Sequence, residues 1–190
     1  MDIDWVSVTG GTCASGDGPG RPIRVGDLWW TRTVLTCGQA RGVGAEVPAG
    51  VDDLLPWTDV DHASAARVAD AMGGRLPRSV EWEWMAAGGR RRLHPWGEQP
   101  WSPQRANLRG SGCGRALPVG SLPAGATPEG LLDVAGNVWE WTASPVLGGG
   151  AVLGGGSYNS LPVYALCGFV NAAPRSLRST GIGVRVVREA

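Results

Sequence analysis

Hydrophobic and polar positions alternate in only a few short stretches of this chain. At the N-terminus Trp5-Val6-Ser7-Val8-Thr9 alternates and then meets Gly10-Gly11, which predicts a strand closed by a turn. Residues 23–34, IRVGDLWWTRTV, are rich in β-branched and aromatic side chains and predict one or two more strands. The period then lengthens. His62 to Met72 carries apolar residues at helical spacing and runs into Gly73-Gly74, a stop signal. Arg75-Leu76-Pro77 reads as extended. Ser79 reads as the N-cap of a second helix, Val80 to Ala87, closed by Gly88-Gly89. Val138 to Thr142, Ala151 to Leu153 and residues 182–187 predict three further short strands. The expected class is α+β, with two helices, short antiparallel strands and long irregular loops. No repeat or linker interrupts it, so residues 1–190 read as one domain.

Three stretches have no period. Residues 41–61 are rich in Gly, Pro and Asp, and Arg90 to Gly130 is punctuated by Gly, Pro, Ser and Asn. Irregular segments that long are usually functional or cross-linked by polar contacts. The third runs from Asn159 to Thr180, between a GGGSY turn and the last strand.

Composition narrows the function classes. The 17 basic residues, all Arg, balance 17 acidic ones, so no basic excess exists to hold a phosphate backbone and nucleic acid is not the expected partner. Ten Trp against one Phe suggest a core organised around a few indoles. Cys13, Cys37, Cys113 and Cys167 are far apart, with no CxxC pair and no nearby His, which argues against zinc or a redox dithiol; one disulfide or four free thiols remain, the latter preferred. The acidic start MDIDWVSVTGG has no apolar signal core, and no 18-residue apolar run exists, so membrane insertion is not expected and the cytoplasm is the default compartment.

Seven segments then fall into a known order: RLPRSVEWEWMAAGG (75–89), HPWGE (94–98), AN (106–107), PVGS (118–121), GLLDVAGNVWEWT (130–142), LGGGSY (153–158) and GIGVRVV (181–187). Together they resemble the formylglycine-generating-enzyme-like family, which implies an elaborated C-type lectin fold. The resemblance implies a structural calcium ion around Asp133, Gly136, Val138 and Glu140, partly through backbone carbonyls; hard oxygen ligands in a turn suit that ion. The same groups equally suit pairing with neighbouring loop amides.

The family's oxidising enzymes use a copper-binding cysteine pair five residues apart, just after the GGSY-type turn. Those positions fall near Ser160 and Ala165, and neither is Cys. A second branch uses histidine-held iron, but His62 and His94 lie far apart, and no GxSxG elbow offers a serine nucleophile. The expectation is therefore no enzyme and no required cofactor, with a metal-dependent oxidase or oxygenase of atypical site as the alternative.

A third group on this scaffold comprises the variable proteins of diversity-generating retroelements, whose C-terminal segment is rewritten at codons restricted to NNY. From Ser157 to Ile182 every residue belongs to the NNY set, and Trp, Glu, Gln, Met and Lys are absent. The resemblance thus implies a ligand-binding protein with 157–182 as its variable region. Contact candidates are Tyr158, Ser160, Leu161, Val163, Tyr164, Leu166, Phe169, Asn171, Arg175 and Leu177. For Leu166 and Phe169 core packing is an equal alternative. The partner would be an unidentified protein or cell-surface ligand, and display on a phage particle or cell surface becomes an alternative to the cytoplasm.

Overall fold

The computed structural model describes residues 3–14 and 22–190. Its strands are β1 (Trp5–Val8), β2 (Gly11–Cys13), β3 (Ile23–Val25), β4 (Leu28–Thr31), β5 (Trp139–Pro145), β6 (Gly150–Gly154), β7 (Val170–Pro174), β8 (Ile182–Gly183) and β9 (Val187–Glu189). The helices among the described residues are α1 (Cys37–Gly42), α2 (His62–Ala71) and α3 (Ser79–Ala87), with two short 3₁₀ turns. The class is α+β, with one helix more than the sequence suggests. α1 escaped because it has only six residues, too few for a period; its capping box is real, with Thr36 Oγ1 accepting from Gln39 N–H and Gln39 Oε1 accepting from Thr36 N–H.

Local chemistry accounts for the other helix ends. Asp61 caps α2 by accepting from Ser64 N–H, and Gly73, at φ +76°, turns the chain out at its end. The cap of α3 is Arg78 and not Ser79, because Glu81 reaches back to accept from Arg78 N–H at 2.7 Å. Glu81 is buried and holds three further contacts, two to Arg75 and one to Arg78 Nε, all at 2.8–3.0 Å. Burial pushes its carboxyl up, and these hydrogen bonds more than reverse that, leaving it below its ordinary value.

Among the described residues the strands assemble into three sheets, ordered β1-β4-β9, β2-β3 and β7-β6-β5-β8. Most pairs are antiparallel, but β5 and β8 run parallel, joined only after the long excursion 155–181. The expected last strand 182–187 splits in two: β8 pairs with β5, and β9 begins only at Val187 and pairs with β4. Between them Arg185 turns inward with no exposed surface.

That arginine joins the layers. Its Nε and Nη2 donate to Glu140 at 2.8–3.0 Å, Nη1 donates to the carbonyls of Thr31 and Arg32, and Nη2 to that of Leu132. Trp82 Nε1 donates to the same carboxylate at 2.7 Å. One core lies between α2 and β5-β6, built on Trp57, Val60, Val68, Trp139 and Trp141; another lies under α3, built on Trp30, Trp82 and Met85. Gly154 must be glycine, because a Cβ there would stand 2.6 Å from the ring of Trp82.

Candidate functional site

The GGGSY turn sets where the irregular segment begins. Gly155 and Gly156 have φ of +95° and +80°, and Gly155 accepts from Gly136 N–H, so the turn lies back on the DVAGN loop. Ser157 follows into the interior. Its N–H donates to Ser160 Oγ, and Ser160 C=O accepts from Arg109 N–H. Ser160 is therefore a buried turn residue and not a surface contact, because its hydroxyl closes a turn the backbone needs. Ala165 is also buried, against Leu108 and Ala135 with Trp96 and Trp101 alongside. Neither position offers a thiolate, so the copper pair does not fit this chain. Cys167 is buried and its thiol is pushed up to about 12 by burial.

Iron fares no better. His62 Nε2 lies 2.9 Å from Thr142 O with the ring edge-on to Trp141, while His94 stacks on Trp96. Burial lowers the pKa of both. Among the described residues no three His, Cys, Asp or Glu side chains come together as a metal site. Two of the side chains expected around calcium have partners within the chain. Glu140 faces Arg185 and Trp82, so the carboxylate a dication would draw on is already matched by a guanidinium. Asp133 accepts from Gly120 N–H, and burial raises its pKa.

The other predicted contact residues divide by burial. Leu161, Val163, Asn171, Arg175 and Leu177 are exposed, and Leu166 is half-buried. Tyr164 and Phe169 join an edge-to-face chain, Trp139–Tyr164 at 5.6 Å and Tyr164–Phe169 at 4.5 Å, which ties the surface to the core. Tyr158 is half-buried, and its hydroxyl lies 3.1 Å from Thr180 Oγ1.

Tyr158 leads to a feature the sequence does not announce. A cleft of about 1260 Å³ opens beside it. Its apolar lining comes from Val47, Val51, Leu55, Trp57 and Val60 in the 43–60 loop, and from Val68 and Ala71 on α2. Arg115, Tyr158, Arg178 and Thr180 complete the wall, and Arg67, Glu46 and Asp59 add charge. The C-terminal segment is fixed against this loop. Asp59, at φ +61°, donates its N–H to Ser179 O, His62 N–H donates to Arg175 O, and Arg178 pairs with Asp61 at 2.8 Å. Ser64 N–H and hydroxyl, then Arg178, hold the Asp61 carboxyl below its ordinary value. Only Tyr158 among the predicted contacts lines the cleft. Much of the remaining lining lies in the aperiodic 41–61 loop, where the sequence carries no pattern to mark it and loop length is the only signal; α2, Arg115, Arg178 and Thr180 supply the rest.

An α+β scaffold whose long segment 155–181 leaves β6, contributes β7 and returns to β8 beside a side cleft defines a C-type lectin-like domain. The chain belongs to the sulfatase-modifying factor enzyme 1-like domain family, whose pattern matches residues 4–190. Over 103 residues it is 43% identical to hercynine oxygenase of Mycolicibacterium thermoresistibile, a match covering 50% of this chain and 23% of that protein. Over 100 residues it is 38% identical to the formylglycine-generating enzyme of Mycobacterium tuberculosis, covering 47% and 33%. Over 129 residues it is 33% identical to the inactive Cα-formylglycine-generating enzyme 2 of Bos taurus, covering 62% and 42%. The matches thus span less than half of these relatives. Among solved structures CarF superposes with a TM-score of 0.82 at 22% identity, covering 100% of this chain and 99% of that one. Treponema denticola variable protein 1 superposes with a TM-score of 0.76 at 17% identity, covering 100% and 96%. Both likenesses establish the fold.

These relatives correct one expectation. The missing cysteine pair and scattered histidines suggest a protein without catalysis, whereas the relatives include hercynine oxygenases and formylglycine-generating enzymes. One relative, of Bos taurus, is itself named inactive.

Proposed function

We propose that this chain is the substrate-binding domain of an enzyme of the hercynine-oxygenase type, with the side cleft as the substrate site. The observation that carries the reading is the cleft itself, large, lined by Val47, Val51, Leu55, Trp57, Val60 and Val68, and walled by Tyr158, Arg178 and Thr180 of the C-terminal segment. In this reading the chain's own residues bind and orient substrate. Calorimetric titration with hercynine tests it. Saturable binding at one site, lost on filling the cleft with Ala71→Trp, is expected. No binding to the wild type, or binding indifferent to that substitution, contradicts it.

A second reading is supported by a separate observation. Leu161, Val163, Val170 and Leu177 are exposed by 40–50%, all within the segment drawn from the NNY residue set. Exposed apolar side chains along one segment favour a recognition surface, and Treponema denticola variable protein 1 shares the fold. In that reading the segment is diversified by a retroelement and selects a protein or cell-surface ligand. A near-identical template repeat beside a reverse transcriptase gene is then expected near the coding sequence. Its absence rejects the diversification.

A further inference from the structure

We propose that residues 175–180 are a strap that closes one wall of the cleft onto α2, latched by the Asp61–Arg178 pair, and that its release governs entry to the cleft. The strap concerns access, whatever the cleft holds, and its test needs no ligand. Between β7 and β8 the segment lies mostly at the surface: Arg175, Ser176, Leu177, Arg178 and Thr180 are exposed and Ser179 is half-buried. Among the described residues its polar contacts with the rest of the chain run to two places. At the approach to α2, His62 N–H donates to Arg175 O at 3.0 Å, Asp59 N–H to Ser179 O at 3.0 Å, and Arg178 Nη2 to Asp61 Oδ2 at 2.8 Å. At the other end Thr180 Oγ1 lies 3.1 Å from the Tyr158 hydroxyl. An exposed segment held by so few hydrogen bonds belongs to the low-stability end of a fold and opens without global unfolding.

The latch joins two stretches of the cleft wall. Arg178 and Thr180 line the cleft from the strap, and Asp59, Val60, Ser64 and Arg67 line it from the approach to α2 and its first turns. Asp61 serves both with its two oxygens: Oδ1 caps α2 by accepting from Ser64 N–H at 2.8 Å, and Oδ2 accepts from Arg178. The cap fixes the carboxylate, so the guanidinium meets an acceptor already in place. Two residues earlier, Asp59 sits at φ +61°, a conformation that a residue other than glycine keeps only where its surroundings impose it. Its N–H bond to Ser179 O is one such constraint, and release of the strap removes it.

The chain carries its own probe of that release. Cys37 lines the cleft and is buried, with Sγ 3.6 Å from the carbonyl of Pro56 in the loop that leads to Asp59. Cys13 and Cys167 are buried in the other core, under α3, and report global opening. Labelling by iodoacetamide is followed site by site by mass spectrometry in the wild type, Arg178→Gln, Asp61→Asn and the double variant. Asparagine keeps the helix cap, so each single substitution removes the latch alone. In the wild type Cys37 is expected to label slowly, but ahead of Cys13 and Cys167. Each single substitution is expected to speed Cys37 roughly two- to fivefold, the factor that a surface ion pair contributes, with Cys13 and Cys167 unchanged. The double variant is expected to match the singles, since either removal breaks the same pair. The proposal is overturned if Cys37 labels no faster than Cys13 and Cys167, does not respond to the substitutions, or speeds up together with the other two. Acceleration in the double variant by the product of the single effects overturns it as well. Failure of hercynine to bind leaves each of these outcomes open, and an unchanged Cys37 rate leaves the hercynine titration standing, so the strap and the substrate reading fail separately.

Discussion

Arg185 is a charged side chain with no exposed surface, and every one of its N–H groups has an acceptor. Removing one member of such a pair leaves the other charge buried without a partner, at a cost of roughly 3–5 kcal/mol. Arg185→Ala is expected to lower unfolding free energy in urea by about that much, and loss below 1 kcal/mol would contradict its role as the link between sheets. Glu81 makes a different prediction. Its folded pKa lies below the ordinary 4.5, so its stabilisation is complete above that value and is lost as pH falls through the folded pKa. Glu81→Gln should therefore be less stable than wild type near neutrality, with the gap closing on acidification. A gap that widens in acid would show the sign to be wrong. Thiol reactivity gives a third check. Cys13, Cys37 and Cys167 are buried, with Cys13 pushed up to about 11, first by burial and then by Glu83, and Cys167 to about 12. A thiol reagent should label the native protein at Cys113 alone, and rapid labelling of a second site would contradict the burial.

At the scale of elements, Gly154→Ala probes the seam between α3 and β6. A methyl group 2.6 Å from the Trp82 ring has to move that indole, which also carries the hydrogen bond to Glu140. Overpacking of this kind costs about 1–3 kcal/mol, read as a fall in the urea midpoint. An unchanged midpoint would mean the seam is loose. Elements with a period or a cap were legible in the sequence. α2 carried a helical period and a glycine stop, α3 was bounded by Gly88-Gly89 although its cap is Arg78 and not Ser79, and β1, β5 and β6 alternate or cluster apolar residues. What stayed hidden follows from the same logic. β7, Val-Asn-Ala-Ala-Pro, lies at a sheet edge with four of its five residues exposed and no alternation, so nothing in its sequence distinguishes it from loop. The split of 182–187 is invisible because Arg185 sits in an apolar run, and its partners, Glu140 and the carbonyls of Thr31, Arg32 and Leu132, lie 45 or more residues away. Tyr158 could be singled out from its place after the turn, but Trp57, Arg67 and Arg115 meet it only in three dimensions.

For the whole molecule, one scaffold presents two surfaces that share the segment 157–182. One face exposes Leu161 and Val163; the other is the cleft, which the segment closes through Tyr158, Arg178 and Thr180. Substituting Leu161 and Val163 by Ser should leave stability within about 0.5 kcal/mol, since neither packs in the core. The claim that the cleft is the substrate site is tested most directly by a crystal structure of the protein with hercynine bound. The account predicts ligand density over Trp57 and Val68, bounded by Tyr158 and Arg115. Density over the exposed Leu161–Val163 face, or beside Ser160 and Ala165 with the cleft empty, would contradict it.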